Sequence, residues 1–173
     1  MAAVFPGLTP DPDAAVLRSP RPGDLGWMVE RHGAVYAREF GWDARFEAHC
    51  ARVVAAFADD HHPLLERVWI AELEGERAGC AMCVRDGSAP STARLRLLLV
   101  EPYARGRGLG RRLLAECVGF ARGVGYRALV LRGQNVLVAA RGLCLDAGFV
   151  QTAETHHRSY GRDLVGQDWH LVL

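Results

Sequence analysis

The sequence has no long apolar run. Nothing in its 173 residues approaches the roughly 20 consecutive apolar positions of a membrane-crossing helix. No basic segment leads into an apolar stretch near the N-terminus, so no secretory leader is expected and the expected compartment is cytoplasmic, with no membrane partner. An excess of either charge is lacking too. Basic residues number 21 against 20 acidic ones, a formal net charge of +1, which gives no global attraction to nucleic acid. Any anion site must therefore be a local concentration of positive charge. The five cysteines (Cys50, Cys80, Cys83, Cys117, Cys144) are odd in number and scattered, which argues against a disulfide framework. Cys80-Ala-Met-Cys83 has CxxC spacing, but residues three apart in a strand-like run point to opposite faces. No second pair follows, so these read as packed thiols and no metal is expected. Internal repeats and low-complexity segments are also missing.

What is present is a chain with 50% hydrophobic and 24% charged residues, ordinary for one globular domain. Residues 1–13 carry three prolines and few periodic apolar positions, so they read as a flexible tail before a single domain over 14–173. Residues 15–18 suggest a short strand. Asp24 suggests the N-cap of a helix running to about Phe40, weakened in the middle by Gly33. Asp43 suggests a second cap, before Phe46, Cys50, Val53, Val54 and Phe57 at helical spacing, with Pro63 closing that helix. The period then changes. Residues 67–74 and 77–85 read as a hairpin turning at Gly75, and 93–100 as a third strand. A helix over 109–124, a strand over 127–131, a helix over 136–147 stopped by Gly148, and closing strands over 149–160 and 167–173 complete the order. Strands interleaved with helices in this way imply a mixed sheet with helices on its faces, an α/β (α+β) fold.

The most informative segment is "LLLVEPYARGRGLGRRLL", from Leu97 to Leu114. It places a glycine-rich turn between a strand and a helix. The first turn of a helix has unpaired N–H groups and the positive end of its dipole, and glycines let a bound anion come close to the backbone. Here Gly106, Gly108 and Gly110 alternate with Arg107 and Leu109, flanked by Arg105, Arg111 and Arg112. A Walker A loop would end in Gly-Lys-Ser/Thr, whereas this one ends in Gly-Arg-Arg. A dinucleotide fingerprint would need a third glycine where Arg111 stands, early in a parallel βαβ unit. Both alternatives fail on spacing.

These residues resemble the GNAT superfamily of acyl-CoA-dependent acetyltransferases, whose central motif is Arg/Gln-x-x-Gly-x-Gly/Ala after a strand ending in hydrophobic-x-Pro. Val100-Glu-Pro102 and Arg105-Gly106-Arg107-Gly108-Leu109-Gly110 match that pattern. Asn135, the helical stretch to Asp146, and Gly148-Phe149 match a second family element. The segments "PGDLGWMVERHGAVYAREFGWD" and "HHRSYGRDLVGQDW" look more narrowly like the acetyltransferase half of bacterial MarR–GNAT fusion proteins. Only about 20 residues precede the first helix, so no DNA binding is carried over and no nucleic-acid partner is expected.

The resemblance implies a mixed central sheet of about seven strands flanked by about four helices. It implies acetyl-CoA as co-substrate, with direct transfer of an acetyl group to a primary amine of a small molecule or a protein. The backbone from Arg105 through Arg111 would cradle the CoA pyrophosphate. Leu98, Leu99 and Val100 would pair with the pantetheine arm where the sheet is expected to splay, and a backbone N–H there would stabilise the oxyanion. Asn135 would hydrogen-bond the same arm, or cap the following helix.

The chain departs from the family in its proton chemistry. The central strand lacks a carboxylate, its only polar side chains being Arg94 and Arg96. Where the family often has an acidic Tyr, four residues before Gly-Phe, this chain has Cys144. Candidate catalytic groups are therefore Cys144 and Tyr160 as acids, with Glu30 and His157 as bases; Cys144 could equally be core. In the first-helix region, His32, Tyr36, Glu39 and Trp42 are the expected wall of the acceptor site, with Tyr36 and Glu39 able to share a helix face. A CoA-binding regulatory module without catalysis is the alternative reading. The C-terminal strand is a candidate pairing edge for a homodimer.

Overall fold

The computed structural model describes residues 15–173, so the expected tail over 1–13 lies outside the described residues. The elements run β1 (Val16–Arg18), α1 (Asp24–Phe40), α2 (Ala44–Asp60), β2 (Arg67–Leu73), β3 (Glu76–Arg85), β4 (Thr92–Val100), α3 (Leu109–Gly123), β5 (Ala128–Gln134), α4 (Val138–Asp146), β6 (Val150–Ser159) and β7 (Arg162–Val172). The strands form one seven-stranded sheet in the order β1-β2-β3-β4-β5-β7-β6. Every neighbouring pair is antiparallel except β4–β5, which is parallel. This is the mixed α/β architecture expected from the order of periods. No helix among the described residues is long and apolar enough to cross a membrane.

Strand alternation divides the apolar residues between two faces. On one, Leu113, Leu114, Cys117 and Ala121 of α3 and Cys144 of α4 pack against Trp69, Ala81, Cys83, Leu95 and Leu129. On the other, Met28 and Val35 of α1 and Val54 of α2 pack against Val68, Ile70, Cys80, Met82 and Leu99. Cys80 and Cys83 thus enter opposite cores, as residues three apart in a strand must.

Several local details differ from expectation. Gly23, with φ 95°, is the N-cap of α1. Asp24 lies inside the first turn, where its carboxylate pairs with Arg18 at 2.5 Å and accepts the Arg21 amide at 2.6 Å. Asp43 does cap α2, accepting from the Arg45 amide at 3.0 Å. Gly33 does not break α1, because α2 crosses there: a Cβ at Gly33 would lie 2.7 Å from the Glu47 carboxylate. β7 begins at Arg162 because Tyr160 and Gly161, with φ of 55° and 78°, make a two-residue turn of the kind that matches strand twist. The C-terminal strand is not an edge. β7 lies between β5 and β6, and the sheet edges are β1 and β6.

Candidate active site

The centre of the sheet is forked. β4 and β5 pair only over Thr92–Arg94 against Ala128–Val130, and beyond Arg94 they separate. The β5-facing backbone of Leu98–Val100 therefore has no strand partner, and unpaired backbone groups demand one. On its other edge β4 stays paired with β3, but the register slips: Cys80 opposes Leu99 while Met82 opposes Arg96. The extra residue makes a β-bulge, and Leu97 takes φ 48°, a conformation uncommon outside glycine. The fully buried Cys80 thiol fills the gap, donating to the Leu97 carbonyl at 3.4 Å.

The glycine loop follows the tip of β4 after a 3₁₀ turn at Pro102–Ala104. Gly106 and Gly108 have φ of 76° and 75°, and Gly108 is the N-cap of α3. The first bonded amide of α3 is Arg112, donating to the Gly108 carbonyl at 3.0 Å. The amides from Gly106 to Arg111 donate to no acceptor among the described residues. Gly110 serves a different purpose. A Cβ there would meet the Leu143 side chain at 3.0 Å, so this glycine lets α3 close onto α4.

Fork and loop bound a cavity of about 670 Å³. Leu98, Leu99 and Val100 form one wall; Arg105, Gly106, Gly108, Leu109, Gly110 and Arg111 form the end at the start of α3. Val136–Ala140 and Leu143 close the α4 side, and Tyr36, Glu39 and Phe40 of α1 close the other. The Arg105 guanidinium is turned back across the tip of β4, 2.8 Å from Glu39 and 3.2 Å from the Val100 carbonyl. Burial pushes the Tyr36 phenol well above its ordinary value, so it stays protonated.

Other expected residues lie off the cavity or are engaged within the protein. Arg107 is exposed and not on the cavity wall. Arg111 pairs with Asp146 at 3.0 Å, and Arg112 donates to the Ala15 carbonyl at 2.5 Å. Asn135 neither caps α4, whose N-cap is Leu137, nor borders the cavity. It closes the β5–β7 ladder instead, donating from its amide to the Val165 carbonyl at 2.9 Å and accepting the Val165 amide at 3.1 Å. Cys144 is 5% exposed within the α3–α4 core, and burial pushes its thiol up to about 11. Its neighbours Ala140 and Leu143 face the cavity instead.

Glu30 is exposed and paired with Arg31 at 3.2 Å. His32 is buried, its Nδ1 2.7 Å from the Met28 carbonyl, and burial pushes it down to about 4. Trp42 is buried in an aromatic cluster with Phe46 and Tyr160, at ring distances of 4.6 and 5.0 Å. His157 contacts Ser159 and Gln134 at 2.9 and 3.0 Å. Sequence reasoning missed Glu101. Buried at 4% exposure, it accepts from Arg31 at 2.6 and 2.9 Å and ties α1 to the tip of β4. No signal in "VEPYAR" distinguishes that glutamate from an exposed one.

Comparisons with known proteins bear on the fold and the family. The chain is 30% identical over 165 residues to mycothiol acetyltransferase of Beutenbergia cavernae, covering 86% of this chain but only 52% of that protein. The fold superposes on ribosomal-protein-alanine N-acetyltransferase from Brucella melitensis with a TM-score of 0.74, at 21% identity over 91% of this chain and 99% of that one. It also matches a Salmonella typhimurium protein assigned to the acetyltransferases and solved with acetyl-CoA, with a TM-score of 0.72 at 23% identity over 91% and 93% of the two chains. Residues 28–149 match the Acetyltransferase (GNAT) family, a span that holds the forked strands, the glycine loop and α4. The chain therefore belongs to the GNAT family of N-acetyltransferases.

Proposed function

We propose that this protein binds acetyl-CoA in the forked cavity and acetylates a primary amine by direct transfer. The observation that carries the proposal is the fit of two open backbone surfaces to two parts of one ligand. Unpaired amides from Gly106 to Arg111 at the start of α3 suit a pyrophosphate. The unpartnered β4 edge at Leu98–Val100 suits an amide-bearing arm that hydrogen-bonds as a strand does. Bound acetyl-CoA supplies a thioester, which an attacking amine converts to an amide with release of CoA thiol.

The protein's own residues then hold and polarise. An amide of the β4 edge beside the bulge donates to the thioester oxygen and stabilises the charge that develops there. Tyr36, protonated throughout the working range and on the cavity wall, is the candidate hydrogen-bond donor to the leaving sulfur. Glu39 is the carboxylate on the wall, held by Arg105 at 2.8 Å. The attacking amine, with an ordinary pKa near ~10, loses its proton to water or to a base on the acceptor side, for which His157 is the candidate; Tyr160, its phenol pushed up by burial, stays protonated and is a candidate acid. Cys144 acts by packing α4 against α3.

Calorimetric titration with acetyl-CoA, followed by measured CoA release over a panel of amines, tests this reading. Micromolar or tighter binding with turnover supports it, and no detectable acetyl-CoA binding overturns it. The absence of a β4 carboxylate, together with the burial of Cys144, favours one second reading, a CoA-sensing module. Tight binding without turnover on any amine would select that one. The narrower likeness of Pro22–Asp43 and His156–Trp169 to the acetyltransferase half of MarR–GNAT fusions is proposed from the sequence alone.

A further inference from the structure

Arg96 is a half-buried cation with no ion pair or hydrogen bond among the described residues. It stands on β4 opposite Met82, and Arg94 stands opposite Val84. Cross-strand partners share a face, so both arginines point to the side packed by α1 and α2. Arg96 acts on Tyr160, which packs in one cluster with Tyr36, Phe40 and Leu137 of the cavity wall, so Arg96 stands on the α1–α2 side of the sheet near the mouth of the cavity.

The groups facing Arg96 are mostly cationic. His49 and Arg52 come from α2, and both Arg52 and Arg96 lie close enough to depress the His49 imidazole, after burial itself. Arg52, Arg96 and Arg132 all act on Tyr160, which stands in the β6–β7 turn with its ring 6.4 Å from that of His49. Arg132 lies flat across β7 where Gly166 leaves space: a Cβ at Gly166 would be 2.5 Å from its Nη2. The nearby acids are already engaged, Asp86 with Arg94 at 2.9 Å and Asp168 with Arg132 at 3.4 Å. Arg52 makes no ion pair among the described residues. A cation partly withdrawn from water among like charges is unfavourable unless an anion arrives to compensate it.

Resting on the acetyltransferase reading, we propose that Arg96, flanked by Arg52 and Arg132, receives an anionic group of the acceptor, so that the preferred substrate is an amine that also carries a carboxylate or a phosphate. The planar guanidinium fork suits both groups, and charge-assisted bonds to it are the strong ones. Tyr160 and His49 complete the wall without adding negative charge.

The test uses matched pairs in which only the anion differs: alanine against alaninamide, and phosphoethanolamine against ethanolamine. Binding to the CoA-loaded protein is measured by calorimetry, and CoA release is measured with acetyl-CoA. The charged member of at least one pair should bind about tenfold or more tightly than its neutral partner. Whichever pair shows the preference identifies the anion as carboxylate or phosphate. Arg96→Gln should abolish that preference, and Arg52→Gln, at an exposed position, should reduce it; both should leave acetyl-CoA affinity unchanged. Neutral members binding as well as charged ones, or a preference that survives Arg96→Gln, overturns the proposal. Failure of the acetyltransferase reading has a different signature: anion-selective binding would persist with no CoA release from any amine.

Discussion

Gly108→Glu opposes folding and binding in a way that isolates the loop's role. Gly108 has φ 75° at the N-cap of α3, and a Cβ there meets nothing within 4 Å. A side chain therefore adds left-handed backbone strain, about 1 kcal/mol, and no clash. Gly108→Ala should lower Tm by about 2–4 °C for a chain of this length. Glu carries the same strain, but a carboxylate at a helix N-terminus recovers about 0.3–1 kcal/mol. The Glu variant should thus be at least as stable as the Ala variant. For the ligand the order reverses. A carboxylate about 5 Å from one phosphate charge, at an effective dielectric of about 20, opposes binding by roughly 3 kcal/mol, more than a hundredfold in Kd. Thermal unfolding of the free protein and calorimetric titration with acetyl-CoA measure the two effects separately. Equal acetyl-CoA affinity in the Ala and Glu variants would refute the assignment of these amides to a pyrophosphate.

His32 and Cys80 make further demands. Burial, opposed by the Met28 carbonyl and by Glu101, holds His32 near 4 in the folded chain, whereas its unfolded value is about 6.5. The unfolded state then takes up the proton first. Stability contributed by neutral His32 is full above pH ~6.5 and drains as pH falls toward 4, by about 3 kcal/mol at the lower limit. In His32→Leu the denaturant midpoint should depend less on pH across that window; an unchanged slope excludes His32 as the source. Cys80→Ala leaves the Leu97 carbonyl without its thiol partner in the bulge, a loss of about 1–3 kcal/mol in stability. It should lower kcat more than it raises KM for acetyl-CoA, with Cys80→Ser partly restoring kcat; unchanged kcat in Cys80→Ala would detach the bulge from catalysis.

The fold was legible because its elements follow simple periods. Apolar residues at helical spacing mark α2 and α3, and Gly75 marks the β2–β3 turn, where it and its neighbour Glu74 both take positive φ. The β6–β7 turn was not legible, since tyrosine is not a left-handed turn signature. Tyr160 is held there by distant partners, its ring 5.0 Å from that of Trp42 and 5.1 Å from that of Phe46. The glycine loop could be found because glycines and a helix start are local features. The acceptor wall was only half visible. Tyr36 and Glu39, three apart on α1, border the cavity together. His32 and Trp42, equally polar-aromatic in the sequence, are enclosed with Phe46 where α2 covers them. Helical periodicity shows that a residue is amphipathic but not which neighbour will cover it. The bulge in "LRLLLV" and the burial of Glu101 likewise depend on strands and helices distant in the chain.

The short β4–β5 ladder also bears on how the molecule survives when empty. Three paired positions join the N-terminal four strands to the C-terminal three at the sheet's centre. The proposed ligand, seated in the fork, would substitute for the missing rungs, so occupancy would also be a folding term. By mass action, coenzyme at a hundred times its Kd adds about 2.7 kcal/mol to stability. Hydrogen exchange at Leu98–Val100 and across β5 should therefore slow with saturation more than exchange in β2 or β3. On the proposed reading, the cohesion of the sheet's centre would then rise with the supply of the acyl donor.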